Sequence, residues 1–402
     1  MQKKFVPAYL LVLVNVLGYS LLLPVLPFVV VDYYGAPKYV YGLLLSCYSV
    51  FQFLGAPYLG RLSDTLGRKP VLLISQIGSL MSWIIFGLSY FVPNIPLLGF
   101  ALPLFVIAFS RVLDGITGGN SSVAQAYVSD ITTKEEKNYI FAYIGGVVGI
   151  GMIIGPAIGG FSASYSIGYL GTVVVAGLLS LGTVISIVLW LQESLPKEKR
   201  KPKEQQSIIE SIRLIKRIRG LQSPKIIQKV FVLRTLFGIM MAVYISTIAL
   251  FIIDLFLFNE QELGLFMLVV GGFISFNQAV MSKWFISRFG VYRTLQMGLF
   301  LTCLGCISIT LTDILWVYIL LYYILNLGIA LCSPTLNSLL AQHAQEQEIG
   351  EVMGIGESIG SLCFALFPFI GASIYGLVGA KLYWGVSVLP LLGLWLSMKK
   401  MK

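Results

Sequence analysis

The sequence predicts an all-α membrane protein, with twelve transmembrane helices in two pseudo-symmetric six-helix bundles. Three observations carry this. Apolar residues make up 57 % of the 402 and charged residues only 11 %, against about 25 % charged in soluble domains. Apolar stretches recur twelve times, each near the roughly 20 residues that cross a bilayer. Lys and Arg fall almost entirely on alternate connections. A mean hydropathy of +0.86 excludes disorder, which needs low hydrophobicity and high charge. Five cysteines form no paired framework, and one His leaves little scope for zinc chemistry. The net charge of +10 reads as a membrane-topology signal, not as a nucleic-acid surface.

The first six spans are read at about 6–31, 41–59, 70–90, 100–128, 139–162 and 167–191. The second six lie at about 230–254, 262–285, 293–312, 315–341, 350–374 and 379–398. Stretches this long fit helices and not the roughly 10-residue alternating strands of a membrane barrel. Lys3 and Lys4 precede the first, which is read as a retained span because no small-residue cleavage site follows it. With both termini placed inside, Lys and Arg split 24 to 2 between the two faces. The positive-inside rule then puts both termini in the cytoplasm of a multi-pass protein of the cell inner (plasma) membrane. Tyr33 and Tyr34 sit at an outer end as an interfacial belt.

The segment 196–229 divides the chain into a bundle at 1–195 and a second at 230–402. It is a basic cytoplasmic linker in which Ile208, Ile212 and Ile215 recur at helical spacing. It reads either as a helix on the anionic inner leaflet or as a solvated linker. Basic turns with a Gly at the same offset recur at Gly60–Pro70 and Lys283–Arg293. Duplicated halves around a midplane site are a transporter architecture.

The stretch Gly60, Leu62, Ser63, Asp64, Gly67, Arg68, Lys69, Pro70 resembles the loop 2–3 signature of the major facilitator superfamily. Helix 5 carries Gly151, Gly155, Pro156, Gly159 and Gly160, similar to the G-x-x-x-G-P-x-x-G-G element of that superfamily's antiporters. Small residues let helices approach closely and Pro156 removes a backbone donor. Arg111, Gly115 and Gly118 on helix 4 resemble the family's R-x-x-x-G-x-x-G element. The exit Ala126 to Thr132, with Pro24–Pro27, Tyr48, Gln52 and Ala56–Pro57, resembles tetracycline-type drug/proton antiporters. The resemblance implies the major facilitator fold, a conformational latch made by Asp64, Arg68 and Asp130, and an antiporter hinge at the helix 5 glycines. The chain departs at Asn15, Ser82 and Thr302, where tetracycline exporters carry acids. The resemblance therefore does not extend to tetracycline itself or to the usual proton carriers.

Charges inside spans are costly and mark function. They are Arg111, Asp114 and Glu357, with Arg234 and Glu351 near helix entrances. Arg111 and Asp114 are i,i+3 and share a helix face. Burial disfavours a charged carboxyl and a nearby guanidinium favours it, which suits a proton carrier. Asp114 is thus the first proton-coupling candidate, Arg111 its tuning partner and Glu357 the second candidate. A static Arg111–Asp114 ion pair is the other reading. Asn15, Tyr19, Tyr48, Gln52, Gln125, Asn277, Gln278, Asn326 and Asn337 supply polar groups for a substrate cavity. Cys303 and Cys306 read as packing and His343 as a solvated helix end; no metal site is expected. The chain lacks a G-x-x-x-x-G-K-[ST] phosphate loop.

The expected function is alternating-access, proton-coupled export of small amphipathic or cationic compounds, as in multidrug efflux. The partners are the substrate, protons and lipid. The expectation includes no enzyme activity and no cofactor, with the proton gradient as energy source, in a monomer. A proton symporter for a nutrient or metabolite, or a siderophore exporter, is the alternative.

Overall fold

A computed structural model describes residues 6–200, 218, 221, 225–345 and 348–398. Lys3, Lys4, Ile208, Ile212, Ile215 and the basic tail from Lys399 lie outside them. The helices are α1 (Val6–Pro27), α2 (Lys38–Leu66), α3 (Arg68–Leu88), α4 (Leu102–Gly118), α5 (Ser121–Asp130), α6 (Lys134–Ala163) and α7 (Tyr169–Trp190). They continue as α8 (Lys225–Phe256), α9 (Glu260–Phe276), α10 (Ser282–Ser308), α11 (Leu315–His343), α12 (Ile349–Val378) and α13 (Leu382–Met398). A two-residue antiparallel pairing, Pro96–Leu97 with Phe100–Ala101, closes the loop before α4.

Ten described helical segments are long and apolar enough to cross a membrane. Two of them, Glu260–Ser308 and Ile349–Met398, run to 49 and 50 residues. At about 1.5 Å per residue each would span roughly 75 Å, more than twice the hydrocarbon core. Each is interrupted by a glycine at positive φ, Gly290 at 77° and Gly379 at 59°. Those breaks give two crossings apiece and restore twelve. The surface is equally telling: Leu377, Trp316 and Leu320 are 85 %, 76 % and 70 % exposed, a patterning suited to lipid and not to water.

Two compact units form. One contains Met1–Ile212 with Asn259–Leu268, the other Arg213–Phe258 with Val269–Lys402. In the first, α1 packs on α6, α4 on α2 and α3, and α3 on α7. In the second, α10 packs on α11 and α13, and α8 on α12 and α13.

Local chemistry sets the ends. α2 stops at Gly67, whose φ of 106° suits a residue without a Cβ. α4 opens with Pro103 in its first turn. Asn259 and Glu262 cap α9 reciprocally, each side chain accepting the other's backbone N–H at 2.9 Å.

Three details differ from the sequence reading. The first span, read to about residue 31, is π-helical after Pro27, over Phe28–Tyr33. A second such stretch, Asn277–Met281, separates α9 from α10. The fourth span is not continuous, because α4 ends at Gly118 and α5 begins at Ser121.

The helix 5 glycines explain the α1–α6 contact. A Cβ on Gly155 or Gly159 would overlap Ser20 or the Leu21 carbonyl of α1, and one on Gly151 would press Val16 at 2.8 Å. Ser20 Oγ donates to the Gly151 carbonyl at 3.0 Å. A Cβ on Gly160 would overlap the Glu260 carbonyl, and Gly264 packs 2.7 Å from the Pro156 carbonyl by the same measure. Overpacking costs about 1–3 kcal/mol, so Gly159→Val should lower the thermal unfolding midpoint in detergent by several degrees. Gly182→Val, on α7 where a Cβ meets nothing within 4 Å, should leave it nearly unchanged.

Candidate functional site

The pair at the centre of α4 is buried. Arg111 Nη1 donates to Asp114 Oδ2 at 3.2 Å, with side chains 4 % and 11 % exposed. The guanidinium lies over Trp83 at 4.9 Å and Phe86 at 5.2 Å, two stacked rings of α3. These aromatic faces are attractive to a desolvated cation. Ser79 and Ser82 of α3 face the carboxylate. Gly115 sets the depth of α4, since a Cβ there would lie 2.5 Å from the Tyr48 carbonyl of α2. Arg111 Nε and Nη2 have no hydrogen-bond partner among the described residues. A buried ion pair contributes little net stability unless its remaining groups are satisfied, so this one is poorly suited to being a structural staple.

One turn beyond Asp114, the helix breaks. Carbonyls freed at a break must find other partners in a bilayer. Here they come from three helices. Ser75 Oγ of α3 donates to the Thr117 carbonyl at 2.5 Å, and Gln52 Nε2 of α2 approaches the Gly118 carbonyl at 3.5 Å. Asn120, fully buried, accepts from Asn15 Nδ2 of α1 at 2.7 Å and donates to Ser75 Oγ at 2.6 Å. Gly119 makes the close approach to α2, where a Cβ would lie 2.6 Å from the Ala56 nitrogen.

A cavity of about 20 Å³ opens beside the pair, with Asn15, Tyr19, Tyr48, Gln76, Ser79 and Asp114 among its lining. The Tyr19 and Tyr48 rings are 6.0 Å apart, and Gln52 Nε2 donates to the Tyr48 hydroxyl at 3.0 Å. Drug-sized sites run to about 300–1,000 Å³, so this cavity is on the scale of a water molecule. Of the expected cavity residues, the structure brings together Asn15, Tyr19, Tyr48 and Gln52. Gln125 is exposed on α5.

The three residues expected to form a latch converge. Arg68 bonds Asp64 Oδ1 at 2.6 Å through Nη1 and Asp130 Oδ2 at 3.1 Å through Nε. Its Nη1 also donates to Ser63 Oγ at 2.6 Å. A third carboxylate joins them that the sequence reading missed. Glu193, just after α7, accepts the backbone N–H groups of Arg68 at 2.9 Å and Lys69 at 3.3 Å. It thereby caps the N-terminus of α3, where negative charge is favoured. Arg200 stands 3.7 Å from it, Ser194 donates to Asp130 at 3.1 Å, and a Cβ on Gly67 would overlap the Glu193 carboxylate.

In the second unit Glu357 pairs with Arg234 at 2.6 Å, yet its side chain is 71 % exposed. Arg234 also donates to the Gly356 carbonyl at 2.7 Å and to Asn337 Oδ1. Asn337 is thus a guanidinium acceptor. Asn277 donates to Asn326 at 3.4 Å and accepts from the Tyr323 hydroxyl at 2.9 Å. Gln278, one residue on, is exposed.

Removing Asn120 tests the clamp. A buried group left unsatisfied costs about 1–3 kcal/mol, so Asn120→Leu should lower the unfolding midpoint clearly. Combined with Ser75→Ala it should lower it by less than the two separate effects added, as a shared network requires.

A sequence profile of the Major Facilitator Superfamily matches residues 8–368. The tetracycline resistance protein of class H from Pasteurella multocida is 27 % identical over 392 residues, covering 96 % of this chain and 91 % of that one. Major facilitator superfamily domain-containing protein 10 from Bos taurus is 30 % identical over 373 residues, covering 86 % and 75 %. The crystal structure of the human organic anion transporter MFSD10 (TETRAN) superposes with a TM-score of 0.70 at 25 % identity, over 99 % of both chains.

Proposed function

The chain belongs to the Major Facilitator Superfamily, and from that premise we propose that it exports small amphipathic or cationic compounds by proton-coupled alternating access. The observation that carries this reading is the Arg111–Asp114 pair, buried beside a polar cavity and one turn from a helix break. Intramembrane ionisable groups are functional by default. Asp114 is the proton carrier in this reading and Arg111 positions it. A cationic substrate and a proton compete for one carboxylate, so loading one expels the other, which is the logic of an antiporter. The tetracycline resistance relatives and the helix 5 glycine–proline pattern favour the same direction of transport.

The remaining parts are assigned as follows. Residues 1–195 and 230–402 are the two bundles that rock about the site, and 196–229 is the basic cytoplasmic linker between them. Both termini face the cytoplasm of the inner membrane, the working unit is a monomer, and the proton gradient is the only energy source. Asp64, Arg68 and Asp130 latch one access state, and Gly151, Gly155, Pro156, Gly159 and Gly160 form the antiporter hinge. Tyr19, Tyr48 and Asn15 contact substrate from the first bundle, and Asn277, Asn326 and Asn337 from the second. Glu357, exposed and already held by Arg234, is a secondary proton site.

An anionic substrate is the second reading. It is favoured by Nε and Nη2 of Arg111, which have no partner among the described residues, and by the likeness to the human organic anion transporter.

Reconstitution in liposomes with an internal pH dye tests the reading. Cationic probes such as ethidium and tetraphenylphosphonium should drive protons opposite to their own movement, and Asp114→Asn should abolish that exchange. Co-directional movement would make the protein a symporter, and response to anionic probes alone would favour the second reading. Arg68→Lys keeps the charge but loses the planar fork that reaches two carboxylates. It should slow exchange by about tenfold or more, the cost of one charge-assisted bond of about 1.5–3 kcal/mol.

A further inference from the structure

Gln76 on α3 is 1 % exposed. Its Nε2 donates to Ser180 Oγ of α7 at 2.9 Å, which fixes the amide and turns Oε1 away from that partner. That oxygen has no hydrogen-bond partner among the described residues. A buried acceptor left bare costs about 1–3 kcal/mol, so such groups are usually met by ordered water. Gln76, Ser180 and Asp114 all line the same cavity. Its volume is about 20 Å³, and a water needs roughly 10–15 Å³ with two to four polar partners.

We propose that this cavity is a binding site for one water molecule that passes the proton to and from Asp114, with Gln76 and Ser180 as its positioning residues. The water donates one O–H to Gln76 Oε1 and the other to the Asp114 carboxylate. On loading, the O–H bond toward Asp114 breaks and an Oδ–H bond forms. The water regains a proton from hydronium arriving from the aqueous side, so it leaves the step unchanged. Unloading is the reverse. The groups that face the carboxylate are Arg111 on its own helix, Ser79 and Ser82 of α3, and Tyr48 of α2. Tyr19 of α1 shares the cavity. Among these only Arg111 carries a fixed charge, and its bond to Asp114 uses Nη1 alone. The inference rests on Asp114 being the proton carrier and adds the route by which the proton reaches it.

Infrared difference spectroscopy of the full chain in liposomes, stepped in pH, reads both ideas without needing a substrate. A carboxyl C=O band that is absent from Asp114→Asn reports the carrier. An O–H band of a confined water, shifting when the medium is H₂¹⁸O, reports the water. Wild type should show both. Gln76→Leu should keep the carboxyl band, lose the water band and move the midpoint of the carboxyl titration by about one unit. That shift is expected because the water's hydrogen bond to the charged form is gone. Ser180→Ala, which frees the Gln76 amide without changing its size, should weaken the water band and serves where Gln76→Leu fails to fold. A wild type with the carboxyl band but no ¹⁸O-sensitive water overturns the water site. A water band unchanged in both variants overturns the roles of Gln76 and Ser180. The absence of any band lost in Asp114→Asn overturns the carrier itself.

Discussion

A bilayer interior offers no hydrogen-bond partner, and every irregularity in this molecule is shaped by that constraint. A regular helix satisfies its own backbone, so most of the chain needs only apolar side chains. Each departure must be met from neighbouring helices. Isolated Ser and Thr hydroxyls solve the problem locally, as when Thr235 donates to the Phe231 carbonyl at 2.8 Å and Ser82 to the Ser79 carbonyl at 2.7 Å. The break after Gly118 cannot be solved locally, and Ser75, Gln52, Asn15 and Asn120 are spent on it. A sequence that commits three polar side chains from three helices, and Asn120 of the break itself, to one break keeps the break for a reason. In discontinuous transmembrane helices such breaks accompany binding sites.

That break joins two charged centres carried by one span. Asp114 lies before it on α4, and Asp130 closes α5 after it. The first centre is buried, paired with Arg111 and beside a water-sized cavity. The second belongs to the Arg68 network at the end of α2 and the start of α3. Glu193 ties this network to the chain leaving α7 by capping α3. A change in protonation at the first centre therefore has a short covalent path to the second, through a joint already clamped to α1, α2 and α3. The Arg234–Asn337–Glu357 cluster in the second unit differs in kind. Its guanidinium is engaged at all three nitrogens while its carboxylate is mostly exposed.

The fold was legible in the sequence because hydropathy and charge asymmetry are summed over many residues. Twelve crossings and the Gly67 turn follow from residue types at short spacing, whereas Asp130, 62 residues from Arg68, joined Asp64 and Arg68 only through the family resemblance, and the glycines at 155 and 159 announced a close approach without naming α1 as its partner. The Arg111–Asp114 contact was legible for the same reason, being i,i+3. What was hidden has one of two causes. Gly118–Gly119 sits in a pattern that still reads as helix, with no proline to mark a break, so α4 and α5 looked continuous. Glu193 is 125 residues from the Arg68 nitrogen that it caps, and Gln76 is 104 from Ser180. No local pattern announces such pairs. An amide in a span, such as Gln125 or Gln278, has no direction until its helix has a neighbour.

The central claim is that one carboxylate, Asp114, holds either a proton or a cationic substrate. The most direct test is proton release on ligand binding by the purified protein in weakly buffered detergent solution, with tetraphenylphosphonium as probe and calorimetry to count binding. The account predicts about one proton released per probe bound, and none from Asp114→Asn. Binding without release, or release that survives in Asp114→Asn, would contradict it.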